Sequence, residues 1–507
     1  MEMSPSRRTG QLLDAPETTA SAATAGRRSR RIPGSSVRLR LAPSERHWLL
    51  RITDLLILNL ALMATLALRL PYRFGLSAVR QAPLYFALLS FLWLVWSAFF
   101  DCYDLRRSSE LGQAVWAAGR AALMSAVTYL VIPYITPDLL SSRLSSVIFV
   151  GLLTVSLPLW RGLYAAVFFQ PTFQQRILIV GAGKCGAELA RALVATPQPG
   201  DRRTGLGVQV VGFIDDDPGK AGAQVAGIPV LGDRHALRRM ITEHRIDIVV
   251  LAITHVPAVH PDLFQILLGC REQGIELEPM VRIYERLTGR VPVDHAGSNL
   301  DVILPAAQPA GRRLFLLLKR LTDVVLACLG LLATAMLSPW VALANRATSP
   351  GPLFYSQIRV GKGGRPFRLV KFRSMIPNAE ESSGAVWAKE KDTRVTQVGR
   401  LLRKTRLDEM PQSWNVLRGQ MSLVGPRPER PEFVAELMTR LPFYQARHAV
   451  RPGMTGWAQV CYGYGGSEQD SLMKLQYDLY YIKHQSIDLE LAILIKTASV
   501  MLHLRGR

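Results

Sequence analysis

Between Lys404 and Glu432 the chain reads KTRLDEMPQSWNVLRGQMSLVGPRPERPE, which sets two adjacent carboxylates, Asp408 and Glu409, among basic residues. Arg403, Arg406, Arg427 and Arg430 crowd the same region, and a Gly-Pro-Arg-Pro turn spans Gly425 to Pro428. A carboxylate can act as a nucleophile or a metal ligand. Guanidinium groups grip phosphate bidentately, which lysine cannot do. Acid and base gathered around a rigid turn point to phosphoryl transfer with a divalent metal. A plainer alternative is a helix N-capped by Asp408, with Pro411 in its first turn and salt bridges around it. From these residues alone both readings stay open.

Two neighbouring segments bear on the choice. TSPGPLFYSQIRVGKGGRPFRLVKFRSM reads as turns and short strands that offer Lys362, Arg365, Arg368, Lys371 and Arg373 to phosphate, or to solvent and lipid. VRPGMTGWAQV, Val450 to Val460, is a second turn-rich stretch, with Arg451, Trp457 and Gln459. KLQYDLYYIKHQSIDLELAILIKT has a helical amphipathic pattern that suits either the membrane interface or the catalytic core.

The elements that position this chemistry begin with the composition. The chain has 507 residues, 49% of them hydrophobic, a mean hydropathy of +0.15 and a net charge of +22. It is long enough for several domains and too apolar for an ordinary soluble protein of that charge. The basic residues are dispersed without a nucleic-acid motif, so no nucleic acid is expected. Loops beside membrane helices collect Lys and Arg, and basic surfaces favour anionic headgroups. Cys102, Cys185, Cys270, Cys328 and Cys461 lie far apart, so neither a zinc site nor a disulfide framework is signalled.

Residues 1–46 lack an apolar h-region and predict a disordered basic cytoplasmic tail. Four transmembrane helices are expected over 47–170, from the stretches Trp48–Leu70, Pro83–Tyr103, Gly112–Ile135 and Ser145–Phe169. Each is near the roughly twenty residues that cross a bilayer. Asp54 is spaced to pair with Arg51 one turn back. Four crossings return the chain to the side of its Arg-rich start, and Arg106 and Arg107 agree if their loop is inside.

Residues 171–305 predict a Rossmann-like parallel-sheet domain. RILIVGAGKCGAELARAL reads as strand, turn and helix, with Gly181, Gly183 and Gly186 in G-x-G-x-x-G spacing. Asp215, Asp216 and Asp217 end the next strand, where an acid could meet a ribose. A dehydratase would want Tyr-x-x-x-Lys, but Tyr284 has Thr288 at that offset. A scaffold or ligand-sensing role is therefore preferred, and the domain is expected to be dispensable for chemistry. A further apolar stretch, Leu314–Ala344 within 306–346, is long enough to span. Ser338-Pro339 offers a break by which it re-enters instead, with Lys319, Arg320 and Arg346 holding both ends at one headgroup layer.

Taken together, these segments resemble the bacterial sugar transferase family, the monotopic polyprenyl-phosphate hexose-1-phosphate (phosphoglycosyl) transferases, in their large membrane form. The matching segments are SPGP at 349–352, KFRSM at 371–375, RLDEMPQSWNVLRGQMSLVGPRP at 406–428, RPGMTGWAQV at 451–460 and YDLYYIK at 477–483. The basic lead-in and the re-entrant helix with Ser338-Pro339 match as well. The RPERPEF ending resembles exopolysaccharide transferases. The resemblance implies an α+β catalytic domain over 347–507 that moves a sugar-1-phosphate from a UDP-sugar to undecaprenyl phosphate and releases UMP. It makes Asp408 the nucleophile of a covalent phosphosugar intermediate and Glu409 the Mg2+ ligand. Arg403, Arg427, Lys371 and Arg373 would bind phosphate, and Gln459 and Arg451 would line the nucleotide-sugar pocket. A homodimer in the bacterial inner membrane is expected, its catalytic domain on the cytoplasmic face. A membrane-anchored sugar-nucleotide dehydratase and a non-catalytic scaffold are the alternatives, opposed by the missing Tyr-x-x-x-Lys and by the intact Asp408-Glu409 pair.

Overall fold

The computed structural model describes residues 43–69, 83–103, 111–132, 143–168, 175–194, 208–253, 260–295, 311–377, 379, 392–463, 465 and 467–502. The expected N-terminal tail, save its last few residues, and the loop carrying Arg106 and Arg107 lie outside them. The first helices are α1 (Pro43–Arg69), α2 (Pro83–Phe99), α3 (Leu111–Val131) and α4 (Arg143–Phe168). Leu58, Leu62, Leu89, Trp93, Ala121, Phe149 and Leu153 form their shared core. Small residues along α3, from Ala114 to Ala126, let the neighbouring backbones approach. Helices α1, α3 and α4 are long and apolar enough to cross a membrane. Helix α2 stops at Phe99 and has 17 residues, shorter than the stretch expected to Tyr103.

Asp54 corrects another expectation. Its carboxylate pairs with Arg161 on α4 rather than with Arg51, and the Arg161 guanidinium also donates to the Cys102 carbonyl. Both side chains are almost fully buried, and a charge held among apolar helices needs a partner inside the bundle. Arg51 instead reaches Asp488, 3.6 Å away near the C-terminus.

The middle of the chain is the expected Rossmann-like unit. Strands β1 (Gln175–Val180), β2 (Val208–Ile214), β3 (Gln224–Val225), β4 (Ile228–Gly232), β5 (Ile248–Leu251) and β6 (Glu276–Pro279) form one sheet in the order β3-β4-β2-β1-β5-β6. All neighbours are parallel except β3 and β4. From Ile177 to Val180 the central β1 is apolar and buried because helices cover both faces of a parallel sheet. Those helices are α5 (Lys184–Val194), α6 (Leu237–His244), α7 (Pro261–Glu272) and α8 (Met280–Thr288). Gly181 turns with φ +103°, and a Cβ on Gly186 would stand 2.0 Å from the Gly181 carbonyl oxygen, so both glycines are sterically required. Of the acidic cluster, Asp215 is turned inward and accepts from the Ala182 N–H at 2.6 Å and from Lys220 Nζ at 3.2 Å, while Asp216 and Asp217 are exposed.

Helix α9 (Arg312–Thr348) is a single helix through Ser338 and Pro339, with no interruption of its secondary structure there. Proline cannot donate to the Ala335 carbonyl, and the Ser338 hydroxyl donates to the Thr334 carbonyl at 2.7 Å beside it. One stripe of α9, Asp323, Ala327, Thr334, Val341 and Asn345, is buried. The opposite face exposes Leu317, Met336, Trp340 and Leu343.

The remaining chain packs on that stripe. A hairpin of β7 (Phe354–Val360) and β8 (Pro366–Phe372) leads to α10 (Gln397–Lys404), a 3-10 turn over Leu407–Gln412 and α11 (Ser413–Leu417). Then come β9 (Ser422–Val424), α12 (Pro431–Arg440), β10 (Gly453–Thr455), α13 (Trp457–Cys461), α14 (Glu468–Lys483) and α15 (Ile487–Leu502). The stretch expected as one amphipathic helix is thus two, and Leu475, Leu479 and Tyr481 of α14 are buried in protein rather than facing lipid. Lys319 and Arg320, expected at headgroups, point inward. Lys319 donates to the Val424 carbonyl and pairs with Glu490, while Arg320 donates to the Val416 and Leu417 carbonyls. Arg320 thereby supplements the end of α11, where helical N–H partners run out and the Val416 carbonyl also accepts from the Gly419 N–H at 2.9 Å.

Candidate active site

Two segments that lie apart in sequence meet at three glycines. β9 pairs in parallel with β10, and the turn after β9 presses against the start of β10. A Cβ on Gly425 would stand 2.4 Å from the Arg451 carbonyl oxygen. On Gly453 it would stand 2.2 Å from the Gly425 nitrogen, and on Gly456 2.2 Å from the Gly425 oxygen. Only backbone fits there, which explains why both segments carry glycine. Pro426 and Pro428 then stiffen the turn and aim Arg427.

The dyad enters from the other side. α10 ends at Lys404 with Thr405 as its cap, and Arg406 adopts φ 59°, a left-handed conformation unfavourable for a residue with a side chain, which turns the chain sharply into the 3-10 segment. Asp408 is therefore not a helix N-cap but a buried residue inside that turn. Glu409 accepts from Arg427 at 2.7 Å and lies 3.7 Å from Arg406. No hydrogen bond or ion pair engages the Asp408 carboxylate among the described residues.

Charge and burial separate the two acids. Burial, then the neighbouring Glu409 charge, push Asp408 up to about 6, against the pull of Lys371, Arg403 and Arg427. Burial would raise Glu409 too, but Arg427 and Arg406 outweigh it and hold its carboxyl below the usual range. Lys371 is pushed down to about 8 by burial and by Arg359 and Arg403, with its Nζ over the Tyr355 ring. The result is one committed carboxylate and one poised carboxylate inside a cationic cage. Such opposite shifts in adjacent acids mark a chemical site more often than a structural one.

The structure brings Asp408, Glu409, Lys371, Arg403 and Arg427 together. Arg403 is steadied by the Ser374 hydroxyl at 2.9 Å. Arg373 is a correction. It is buried, and its guanidinium donates to the carbonyls of Pro352, Ser349 and Met375 and to the Ser349 hydroxyl, so it braces the 349–352 loop and has no nitrogen left for phosphate. Arg451 is exposed and lies with Arg320 beside Gly419. Gln459 packs beside the glycine crossing, with a weak 3.4 Å contact from Nε2 to the Met454 carbonyl and a buried Oε1 that has no hydrogen-bond partner among the described residues. Ser338 and Pro339 lie on α9, within the helix that underlies the site.

Several supporting residues escaped sequence reasoning. Arg447 is buried, donates to the Arg427 carbonyl at 3.0 Å, and is paired with Asp478 at 2.8 Å, so it holds the backbone of the Gly-Pro-Arg-Pro turn. Asp323 on α9 accepts from the Ser422 hydroxyl and the Leu423 N–H and fixes the strand before that turn. The available signal was an acid within an apolar helix stripe, as with Asp478 in LQYDLYYIK and Asp323 in KRLTDVV.

A model of the bacterial sugar transferase family matches residues 314–504, and a CoA-binding domain model matches residues 98–257. A relative from Aeromonas hydrophila, named UDP-N-acetylgalactosamine-undecaprenyl-phosphate N-acetylgalactosaminephosphotransferase, is 43% identical over 46% of this chain and 54% of its own. Two relatives are named UDP-glucose:undecaprenyl-phosphate glucose-1-phosphate transferase. That from Xanthomonas campestris pv. campestris is 31% identical over 64% of this chain and 66% of its own. That from Caulobacter vibrioides is 41% identical over 42% of this chain and 79% of its own. The chain thus spans between half and two thirds of the first two relatives. A relative 41% identical and matched over 79% of its length, together with the family model over residues 314–504, is enough to say that this chain belongs to the bacterial sugar transferase family.

Proposed function

We propose that this protein transfers a sugar-1-phosphate from a UDP-sugar to undecaprenyl phosphate and releases UMP, through a covalent phosphosugar on Asp408. The observation that carries this is the state of the dyad. Asp408 is buried with no hydrogen bond or ion pair among the described residues and has a raised pKa, beside a Glu409 already held charged by arginine. A carboxylate with no hydrogen bonds is a better nucleophile than one fully solvated or paired. In the first step an Asp408 oxygen forms a bond to the β-phosphorus. The bond from that phosphorus to the bridging oxygen breaks, and the electron pair leaves with UMP. In the second step a phosphate oxygen of the carrier attacks the same phosphorus, the diphosphate forms, and the Asp408 carboxylate is regenerated. Arg403, Arg427 and Lys371 surround that centre and offset the negative charge that builds on it. The relatives carry different sugars by name, so the donor is assigned only as a UDP-hexose.

Mg2+ fits this donor set. The described residues contain no cluster of three or more metal-ligating side chains, so an all-protein cage is not formed. Mg2+ is commonly held by one or two carboxylates together with substrate phosphates. Glu409 would hold it, since its Oε2 has only the longer contact to Arg406. When bound, the ion would neutralise charge on the donor diphosphate.

The contacts of α9 support a membrane placement for the catalytic domain. Its contacts with the catalytic domain recur from Lys319 to Asn345, with no free stretch near the roughly twenty residues a bilayer crossing needs. We infer that this uninterrupted helix stays on the catalytic side without crossing, its exposed apolar face in lipid, with that side at the cytoplasmic face of the bacterial inner membrane. In a cysteine-free background, single cysteines at Arg312 and at Lys362 should react with an impermeant reagent only after cells are opened. Reaction of either one in intact cells would refute this topology. The central test is UMP release by the full-length protein with undecaprenyl phosphate, Mg2+ and a panel of UDP-sugars. Failure of every donor would reject the assignment.

A further inference from the structure

Trp457 opens the short helix that carries Gln459, and separate parts of the chain meet on its indole. Its Nε1 donates to the Gly289 carbonyl at 2.9 Å. The Tyr480 ring stacks on it at 6.2 Å, and Lys496 Nζ sits 5.3 Å from its ring. Gly289 ends α8, whose Met280, Ile283, Tyr284 and Leu287 belong to the Rossmann-like core. The same helix is clamped onto the catalytic domain by Glu285, which is buried and bonds both Lys483 and His484. Val291 and Val293 then insert beside Leu475 and Leu479. None of residues 285–293 falls within the family segment 314–504.

The contact has a route to the dyad. Gly456 precedes Trp457 and touches Gly425 backbone to backbone, two residues from Arg427. Arg427 is the residue that holds Glu409. A shift of the indole is passed on because the glycine crossing has no side chains that could yield.

We propose that Trp457 is a positioning residue through which the Rossmann-like domain orients the transferase dyad, so that this domain is needed for full activity rather than dispensable. The activity readout rests on the function proposed above; the structural readout does not. Gly289 and Gly274 supply a matched pair, both in the Rossmann-like region and both left-handed, with φ +64° and +82°. A Cβ at Gly289 would stand 3.2 Å from Trp457 Nε1 and Cζ2, whereas one at Gly274 meets nothing within 4 Å. Gly289→Ala and Gly274→Ala therefore carry the same kind of backbone strain, and only the first strikes the indole.

Both variants would be made in the full-length protein and measured by amide exchange over residues 453–463 and by UMP-release kinetics. Gly289→Ala should speed exchange in that segment and lower kcat/KM for the UDP-sugar about tenfold, since small misplacements of reacting groups are costly. Gly274→Ala should do neither. Trp457→Phe, which keeps a ring but loses the N–H, should shift both readouts the same way by about threefold and covers the case of an unfolded Gly289→Ala. Equal behaviour of the two glycine variants in either readout, or an unchanged Trp457→Phe, would overturn the proposal. If the wild type releases no UMP with any donor, the function assignment fails while the exchange comparison still decides the contact.

Discussion

Asp215 and Asp408 invite comparison, because each sits beside a glycine turn and each faces a lysine. Burial pushes Asp215 up, but N–H groups of Asp217 and Ala182 and the Lys220 ammonium outweigh it and hold it below the usual range. Asp408 has the lysine without the hydrogen bonds, and burial beside Glu409 pushes it up to about 6. The first acid has every partner it needs and stiffens a turn; the second is kept short of partners and is free to react. Partner saturation, more than residue type or nearby glycine, separates the structural site from the chemical one.

The sharpest test of that contrast is Asp408→Asn, which should lower UMP release by at least about 10³-fold, since an amide cannot attack phosphorus. Its Tm should equal or exceed that of the wild type, because a buried charge is removed. Retained activity would dissolve the distinction. Glu409→Gln should cost about 10²-fold, and EDTA should silence the wild type until Mg2+ is restored. Full turnover in EDTA would remove Glu409 from any metal role.

The pH profile probes the same pair more gently. Asp408 must be ionised to attack, so kcat/KM should fall about tenfold per pH unit below about 6, where its carboxyl takes up a proton. Lys371 is charged only below about 8, so an alkaline limb should begin there as the cage loses a positive charge. A flat profile between pH 5 and 9 (roughly one pH unit beyond each of those values) would contradict both assignments. The smallest effect on catalysis belongs to the structural acid. Asp215→Asn should keep transfer within about threefold while lowering stability by about 1–3 kcal/mol, because its charge-assisted hydrogen bonds are weakened. A large activity loss with unchanged Tm would assign chemistry to the Rossmann-like turn.

Much of this was legible in the chain because local signals and tertiary demands coincide. A four-helix start, a parallel sheet and a C-terminal part that carries the acidic dyad follow from apolar length, strand–turn–helix alternation and motif spacing. The dyad and its partners Lys371, Arg403 and Arg427 were readable for the same reason. Arg373 was not, since nothing in KFRSM says whether a guanidinium faces phosphate or the carbonyls of a buried loop. Asp54 went astray similarly: Arg51 is its neighbour in sequence, but Arg161 is the cation that shares its buried space.

The sequence by itself determined which chemistry is possible here, because two adjacent carboxylates, dispersed arginines and long apolar runs are properties of residue type and order. Only the tertiary structure decided which acid is poised and which is committed, that Arg320 caps α11 and Lys319 pairs with Glu490 rather than meeting headgroups, and that Gly289 grips Trp457. Burial, charge neighbours and backbone contact depend on segments far apart in the chain, and no local pattern encodes the distance between them.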